Sequence, residues 1–332
     1  MIPDSLPVHV LIVIVSFVVL TKSADFLVDG SVAIAARFNI PKMIIGIVLV
    51  GFATTAPEFT VSVISAMKGY PEIALGNAIG SVVADDALAL ALGIIAAPVA
   101  IKVDSRILKS AGIFLISIDL IAFILAFNGV IARWEGAVLI LLLFGYFGAV
   151  VISEKRKRNG EVPEEIEAEI TEHIKGSVMA NVFKFAVGVT GVIAASKFLV
   201  DSSIWIAVYL HVPQVIIGLT MIAIGTSLPE IATCIVASRK GHGDLAFGDI
   251  IGADILNILW IVGAASVAHP IHVAPRIIYF AFPSMIVIVL TMLLFARNKY
   301  RLTRFKGIVL LVMYFAYLSL TLIFFHSPGS AA

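Results

Sequence analysis

A chain of 332 residues that is 60% hydrophobic, only 14% charged and has a mean hydropathy of +1.07 lies far outside the composition of water-soluble domains. A formal net charge of +1 gives no footing for nucleic acid, and the single cysteine, Cys234, excludes a disulfide framework or a thiolate metal cluster within the chain. What remains is a membrane protein, and apolar runs of the length a helix needs to cross a bilayer, about 20 residues, indicate an all-α fold rather than a barrel.

In chain order the apolar runs predict ten membrane helices near 7–36, 42–67, 72–97, 108–127, 134–152, 178–208, 213–238, 244–268, 276–296 and 305–325. The start, "MIPDSLPVHV", lacks the basic region of a cleaved signal peptide, so the first span is expected to stay. Between the fifth and sixth spans lies the longest polar insertion, "SEKRKRNGEVPEEIEAEITEHIK", read as a solvated linker at 153–177 between halves 1–152 and 178–332. Alternate loops differ sharply in charge. One set carries Arg37, Lys42, Lys102, Arg106, Lys109, Lys155 to Arg158, Lys175, Arg239, Lys240, Arg297, Lys299, Arg301, Arg304 and Lys306, 17 of the 23 cations; the other carries Lys68, Arg133 and Arg276. Because basic short loops stay in the cytoplasm, the linker is expected inside and both termini outside a cell membrane that the chain crosses many times.

The two halves repeat. Shifting the chain by 172 residues lays "FLVDGSVAIA" on "FLVDSSIWIA", "PKMIIG" on "PQVIIG", "TTAPE" on "TSLPE" and "GNAIG" on "GDIIG", with 20 identities in 68 ungapped pairs between 26–93 and 198–265. Each half holds five spans, an odd number, so the second half is expected to enter the membrane from the opposite side. Inverted repeats of this kind place ion sites at the bilayer midplane between them.

Within the repeat, Pro57 and Pro229 lack an N–H, which strips the carbonyls of Ala53 and Gly225 of their helical partner. Unpaired carbonyls at this depth persist only where they face protein or a wet cavity. Glu58 and Glu230 follow directly, and Thr54 and Thr226 stand four residues before them on the same helical face. A buried carboxylate inside a membrane points to function by default. In the next span Asn77, Ser81 and Asp85 are spaced by four, as are Asp249, Ala253 and Asn257 in the duplicate. These ligand atoms are all oxygens, which suits Ca²⁺ or Na⁺ rather than zinc or copper. Asp86 is turned about 100° from Asp85, and Asp254 lies off the Asp249 face, so each is a second-rank candidate. Asp25, Asp29 and Asp201, with Lys22 and Lys197 nearby, are read as structural or gating groups, and Cys234 as a packed residue.

The paired stretches "ATTAPE...GNAIGS" and "GTSLPE...GDIIGA" resemble the α-repeats of the cation/calcium exchanger superfamily, and its sodium/calcium exchanger branch of prokaryotic type in particular, over nearly the whole chain. The resemblance implies alternating access, with spans 1 and 6 sliding past the other eight. It implies that Glu58 and Glu230 are acidic Ca²⁺ ligands, that Thr54 and Thr226 ligate Ca²⁺ or Na⁺, and that Thr55, Ser81 and Ser227 supply sodium-binding oxygens. Against that pattern, Asp85 and Asn257 exchange acid and amide between halves, Ala253 replaces a serine and Asp249 an asparagine. These departures leave H⁺ or K⁺ involvement open. The expected function is Ca²⁺/Na⁺ antiport by a monomer without cofactor, the ions being cargo. A Ca²⁺/H⁺ antiporter of the same fold is the nearest alternative; a passive cation channel and an intramembrane aspartyl protease built on Asp249 are remoter ones.

Overall fold

Inside a bilayer every backbone N–H and C=O has to be satisfied by the chain itself, so long apolar runs fold as helices. The computed structural model, described for residues 5–38, 42–67, 69, 71–157, 177–209 and 223–326, follows that rule. Among the described residues, eight helices are long and apolar enough to cross a membrane, and nine if the bent pair Gly46–Thr54 and Ala56–Ile64 counts as one. The run expected at 213–238 is described only from 223 onward, so its first part lies outside the described residues, as does most of the expected linker.

The helices are α1 (Leu6–Phe38), α2 (Lys42–Ile45), α3 (Gly51–Thr54), α4 (Ala56–Met67), α5 (Pro71–Ala84), α6 (Leu90–Ala96), α7 (Ser105–Ala126) and α8 (Arg133–Lys157) in the first half. In the second they are α9 (Val178–Tyr209), α10 (Ala223–Thr226), α11 (Leu228–Arg239), α12 (Gly243–Leu256), α13 (Gly263–Ala268), α14 (Phe282–Arg297) and α15 (Arg304–His326). Several join through π-helical turns at Gly46–Val50, Asp85–Ala89 and Asn257–Val262, so α5 and α6 form one span and α12 and α13 another. Helix α7 starts earlier than its apolar run because the Asp104 carboxylate caps it, accepting from the N–H groups of Arg106 (2.7 Å) and Ile107 (3.1 Å). Helix α8 outlasts its apolar run because Glu154, Lys155 and their neighbours are good helix formers once clear of the bilayer.

The described residues are mostly helical, as expected of an all-α fold, and carry short strands besides. Four two-residue strands pair antiparallel at the ends of the bundle: β1 (Ile101–Lys102) with β4 (Arg301–Leu302), and β2 (Val130–Ile131) with β3 (Ile271–His272). Where the chain leaves a helix its N–H and C=O groups lose their ladder, and pairing two such exits restores it. Each pairing joins one half of the chain to the other.

The layering follows from burial. The α5–α6 and α12–α13 spans are 78% and 83% buried over their apolar windows, against 28%, 22%, 17% and 22% for those of α1, α8, α9 and α15. Two continuous spans therefore sit at the centre with the lipid-facing helices outside. The broken segment of the first half lies directly on the centre. A Cβ at Gly46 or Gly252 would collide with the backbone of Leu245 and Ile47 respectively, so glycine is what lets α12 and the α2–α3 segment touch backbone to backbone.

Candidate functional site

Both Pro-Glu segments break where one residue leaves helical geometry. Thr55 (φ −76°, ψ 4°) separates α3 from α4, and Ser227 (φ −81°, ψ 8°) separates α10 from α11. The axis bends by 51° at the first break. Each break falls two residues ahead of its proline, which then occupies the first turn of the next helix, where its missing N–H costs nothing. Glu58 and Glu230 thus stand in the first turns of α4 and α11, at the helix end whose dipole favours an anion. The Thr55 hydroxyl donates back to Gly51 O (2.8 Å), which ties it to its own helix.

Around the two breaks the halves exchange hydrogen bonds in matched pairs. Thr54 Oγ1 donates to Asp249 Oδ1 (3.2 Å), and its duplicate Thr226 Oγ1 donates to Asn77 Oδ1 (3.3 Å), the duplicate of Asp249. Asn257 Nδ2 donates to Asp85 Oδ2 (3.4 Å), and these two positions are duplicates of each other in the sequence repeat. Two further groups, not foreseen in the sequence, complete the frame. Thr233 Oγ1 donates to Asp249 Oδ2 (2.8 Å), and Asn77 Nδ2 donates to Ser62 Oγ (3.0 Å) and Glu58 O (3.4 Å). The duplicates of Thr233 and Ser62 are Val61 and Cys234, so the repeat gave no signal for either.

Thr54, Thr55, Glu58, Asn77, Ser81, Asp85, Thr226, Ser227, Glu230, Asp249 and Asn257 are all buried. Among the described residues, both carboxylate oxygens of Glu58 and of Glu230, one oxygen each of Asp85 and Asn257, and the hydroxyls of Ser81 and Ser227 lack a well-aligned hydrogen bond, though Thr226 lies beside the Glu58 carboxylate and Ser227 beside that of Asp85. Glu230 lies within electrostatic reach of Glu58, Asp85 and Asp249. The ligand candidates are therefore mixed, acids set among hydroxyls and amides. Among the described residues no three acids, histidines or cysteines alone converge as a metal cage.

A second acidic group sits beside the first. Asp86 and Asp254 bring their carboxyl groups together across the two central spans, with Asp119 of α7 within their electrostatic reach; all three are fully buried, and among the described residues no other group donates to them. Asp119 is the acid that sequence reasoning passed over. Its signal was there, a lone aspartate in the middle of a 22-residue apolar helix.

Eight acids are buried in all, among the described residues, and only Glu135 is there to cap a chain turn, accepting from the N–H of Ala132 (2.7 Å). Among the described residues no lysine or arginine is buried with them. Isolated buried carboxylates are too costly to stay charged alone. The interior can therefore take up cations.

The sodium/calcium exchanger protein family model matches residues 8–152 and 180–323. The sodium/calcium exchanger MaX1 of Methanosarcina acetivorans is 27% identical over 94% of this chain and 97% of its own length. The putative antiporter CaxA of Alkalimonas amylolytica is 32% identical over 93% and 97%. Among solved structures, the sodium-calcium exchanger NCX_Mj soaked with 2.5 mM Na⁺ and 10 mM Sr²⁺ superposes with a TM-score of 0.81 at 26% identity, covering 95% of this chain and 99% of that one.

Proposed function

Since this chain belongs to the sodium/calcium exchanger family of membrane antiporters, we propose that it exchanges Ca²⁺ for Na⁺ by alternating access at the ring between the two broken helices. The single observation that carries this reading is the set of buried carboxylates that, among the described residues, have no buried basic side chain beside them. Glu58 and Glu230 are the principal Ca²⁺ ligands. Asp85 with Ser81 and Asn257, the hydroxyls and carbonyls of Thr54, Thr226, Thr55 and Ser227, and the carbonyls of Ala53 and Gly225 fill out the six to eight oxygens that Ca²⁺ takes. Asp249 and Asn77 close the ring from the outside by gripping Thr54 and Thr226.

The architecture behind it is ten spans in two inverted halves of five, joined by a cytoplasmic linker, with both termini outside. The matched hydrogen bonds of the two halves support the duplication, and the charge of the loops supports the orientation. Coupling follows from the cost of burial. Glu58, Glu230 and Asp85 carry about three negative charges when ionised, enough for one Ca²⁺ or several Na⁺, and an empty site is held back by uncompensated charge. Only loaded forms then change sides.

A second reading, Ca²⁺/H⁺ antiport, rests on the Asp86, Asp119 and Asp254 group, which adds buried acids outside the ring, and on Ala253, which brings no oxygen. Uptake of Ca²⁺ into proteoliposomes driven by a sodium gradient at constant pH supports the first reading; uptake driven only by a proton gradient replaces it with the second.

A further inference from the structure

Helices α7 and α8 follow each other in the chain and yet hardly meet. α7 packs on α14 and α12, and α8 packs on α13 and on the π-helical turn Asn257–Val262. Between the two helices lies a groove of about 450 Å³, lined by Phe114 of α7 and by Val138, Leu142, Gly145, Tyr146 and Ala149 of α8. The Phe114 and Tyr146 rings stack with their centres 4.1 Å apart. A Cβ at Gly145, or at Gly148 one turn on, would meet nothing within 4 Å, whereas one at Gly136 of the same helix would strike Ser266 and Gly263.

The second half fills the same place. At the offset of 172 residues Gly145 corresponds to Tyr317 and Gly148 to Leu320. The Tyr317 ring of α15 stacks on Phe280 (5.9 Å between centres) in the turn that leads into α14, and there α14 and α15 do pack on each other. The first half thus has the same helix pair without the side chain that plugs it. Glycine inside a helix costs stability unless its small size is used, and among the described residues no part of the chain comes close enough to Gly145 to use it.

Charge says what covers it. At the membrane face where α7 begins and α8 finishes, Arg106 and Lys109 are exposed and make no ion pair among the described residues, and α8 ends in Lys155, Arg156 and Lys157. Asp104, beside them, is taken up in capping α7. Arg106, Ser110 and Phe114 follow at four-residue spacing, which puts them on one face of α7. From Val138 to Ala149 the groove runs about 16 Å along α8, roughly the depth of one leaflet's hydrocarbon. We propose that it binds an anionic phospholipid, with an acyl chain against Gly145 and the phosphate held by Arg106 and Lys109. A second copy of this chain, lying the same way up in the membrane, would bring its own basic end against this one; an anionic headgroup is drawn to it.

The test is native mass spectrometry of the full chain, stripped of lipid in detergent and titrated with dioleoyl phosphatidylglycerol or, as the zwitterionic control, dioleoyl phosphatidylcholine. The parent protein is expected to retain phosphatidylglycerol about tenfold more tightly than phosphatidylcholine. Arg106→Gln with Lys109→Gln is expected to level the two, and Gly145→Tyr, which copies the second half, to remove the retained lipid. A measurement that needs no variant stands beside it: phosphatidylglycerol with a photoreactive diazirine on its acyl chain is expected to mark the stretches around Phe114 and Gly145 above the rest of the chain. Equal retention of the two lipids by the parent, a preference that survives the double substitution, retention unchanged by Gly145→Tyr, or labelling spread evenly over the outer helices overturns the site. So does a dimer that Gly145→Tyr abolishes, which gives the groove to a second copy. No ion is transported in these experiments, so failure of the exchange reading and failure of the lipid site are told apart.

Discussion

Among the described residues Glu58 and Glu230 have no basic partner, so their ionised form depends on what binds there. Replacing either with glutamine removes an uncompensated charge while keeping the shape. Glu230→Gln is expected to leave folding intact, to raise the melting temperature without ions, and to cut Ca²⁺ transport at least about a hundredfold. Thermal melts with and without Ca²⁺ check both halves of this: the parent protein is expected to gain stability on saturation with Ca²⁺, and the variant to gain almost none. Asp249 differs, because both of its oxygens are satisfied by Thr54 and Thr233. Thr233→Val keeps the volume and leaves Asp249 Oδ2 without its donor, which is expected to cost about 1–3 kcal/mol in denaturant unfolding. The ring acids were legible in the sequence because Glu58, Glu230 and Asp249 each stand beside a duplicated proline or glycine and Asp85 follows Asn77 and Ser81 at helical spacing. Thr233 and Ser62 were not, since single hydroxyl residues on an apolar helix announce no partner until the helices are packed, whereas Asp119 was legible as a lone acid in an apolar span.

At the scale of elements the break in each Pro-Glu helix is what turns an ordinary span into part of a site. Pro229→Ala returns an N–H to the Gly225 carbonyl and is expected to lower transport about tenfold or more while the protein still inserts and folds; flux in proteoliposomes at matched protein content checks it. Gly188→Leu is expected to separate α1 from α9, because the added side chain has no space against Leu27, and to lower the melting temperature. Most helix bounds were readable from hydropathy, which is a property of each segment alone. The point of the breaks was not. They fall at Thr55 and Ser227 rather than at the prolines, because a proline fits the first turn of a helix and so moves the irregular residue ahead of itself. The π-helical turns at Asp85 and Asn257 and the paired strands at the helix exits also escaped, since each depends on what the neighbouring half presents.

For the whole molecule, the duplication visible at an offset of 172 residues reappears as hydrogen bonds that exchange the halves, Thr54 with Asp249 and Thr226 with Asn77, together with the Asp85–Asn257 contact. Which ion drives the exchange is where the chain departs from the pattern it resembles, at Ala253, Asp249 and Asp85. The most direct measurement is uptake of radioactive calcium into proteoliposomes loaded with Na⁺, beside Na⁺-free vesicles carrying a pH gradient. Uptake that requires the sodium gradient, and that Glu58→Gln abolishes, is the predicted result. Calcium uptake driven by the proton gradient alone, with none from sodium, would contradict it.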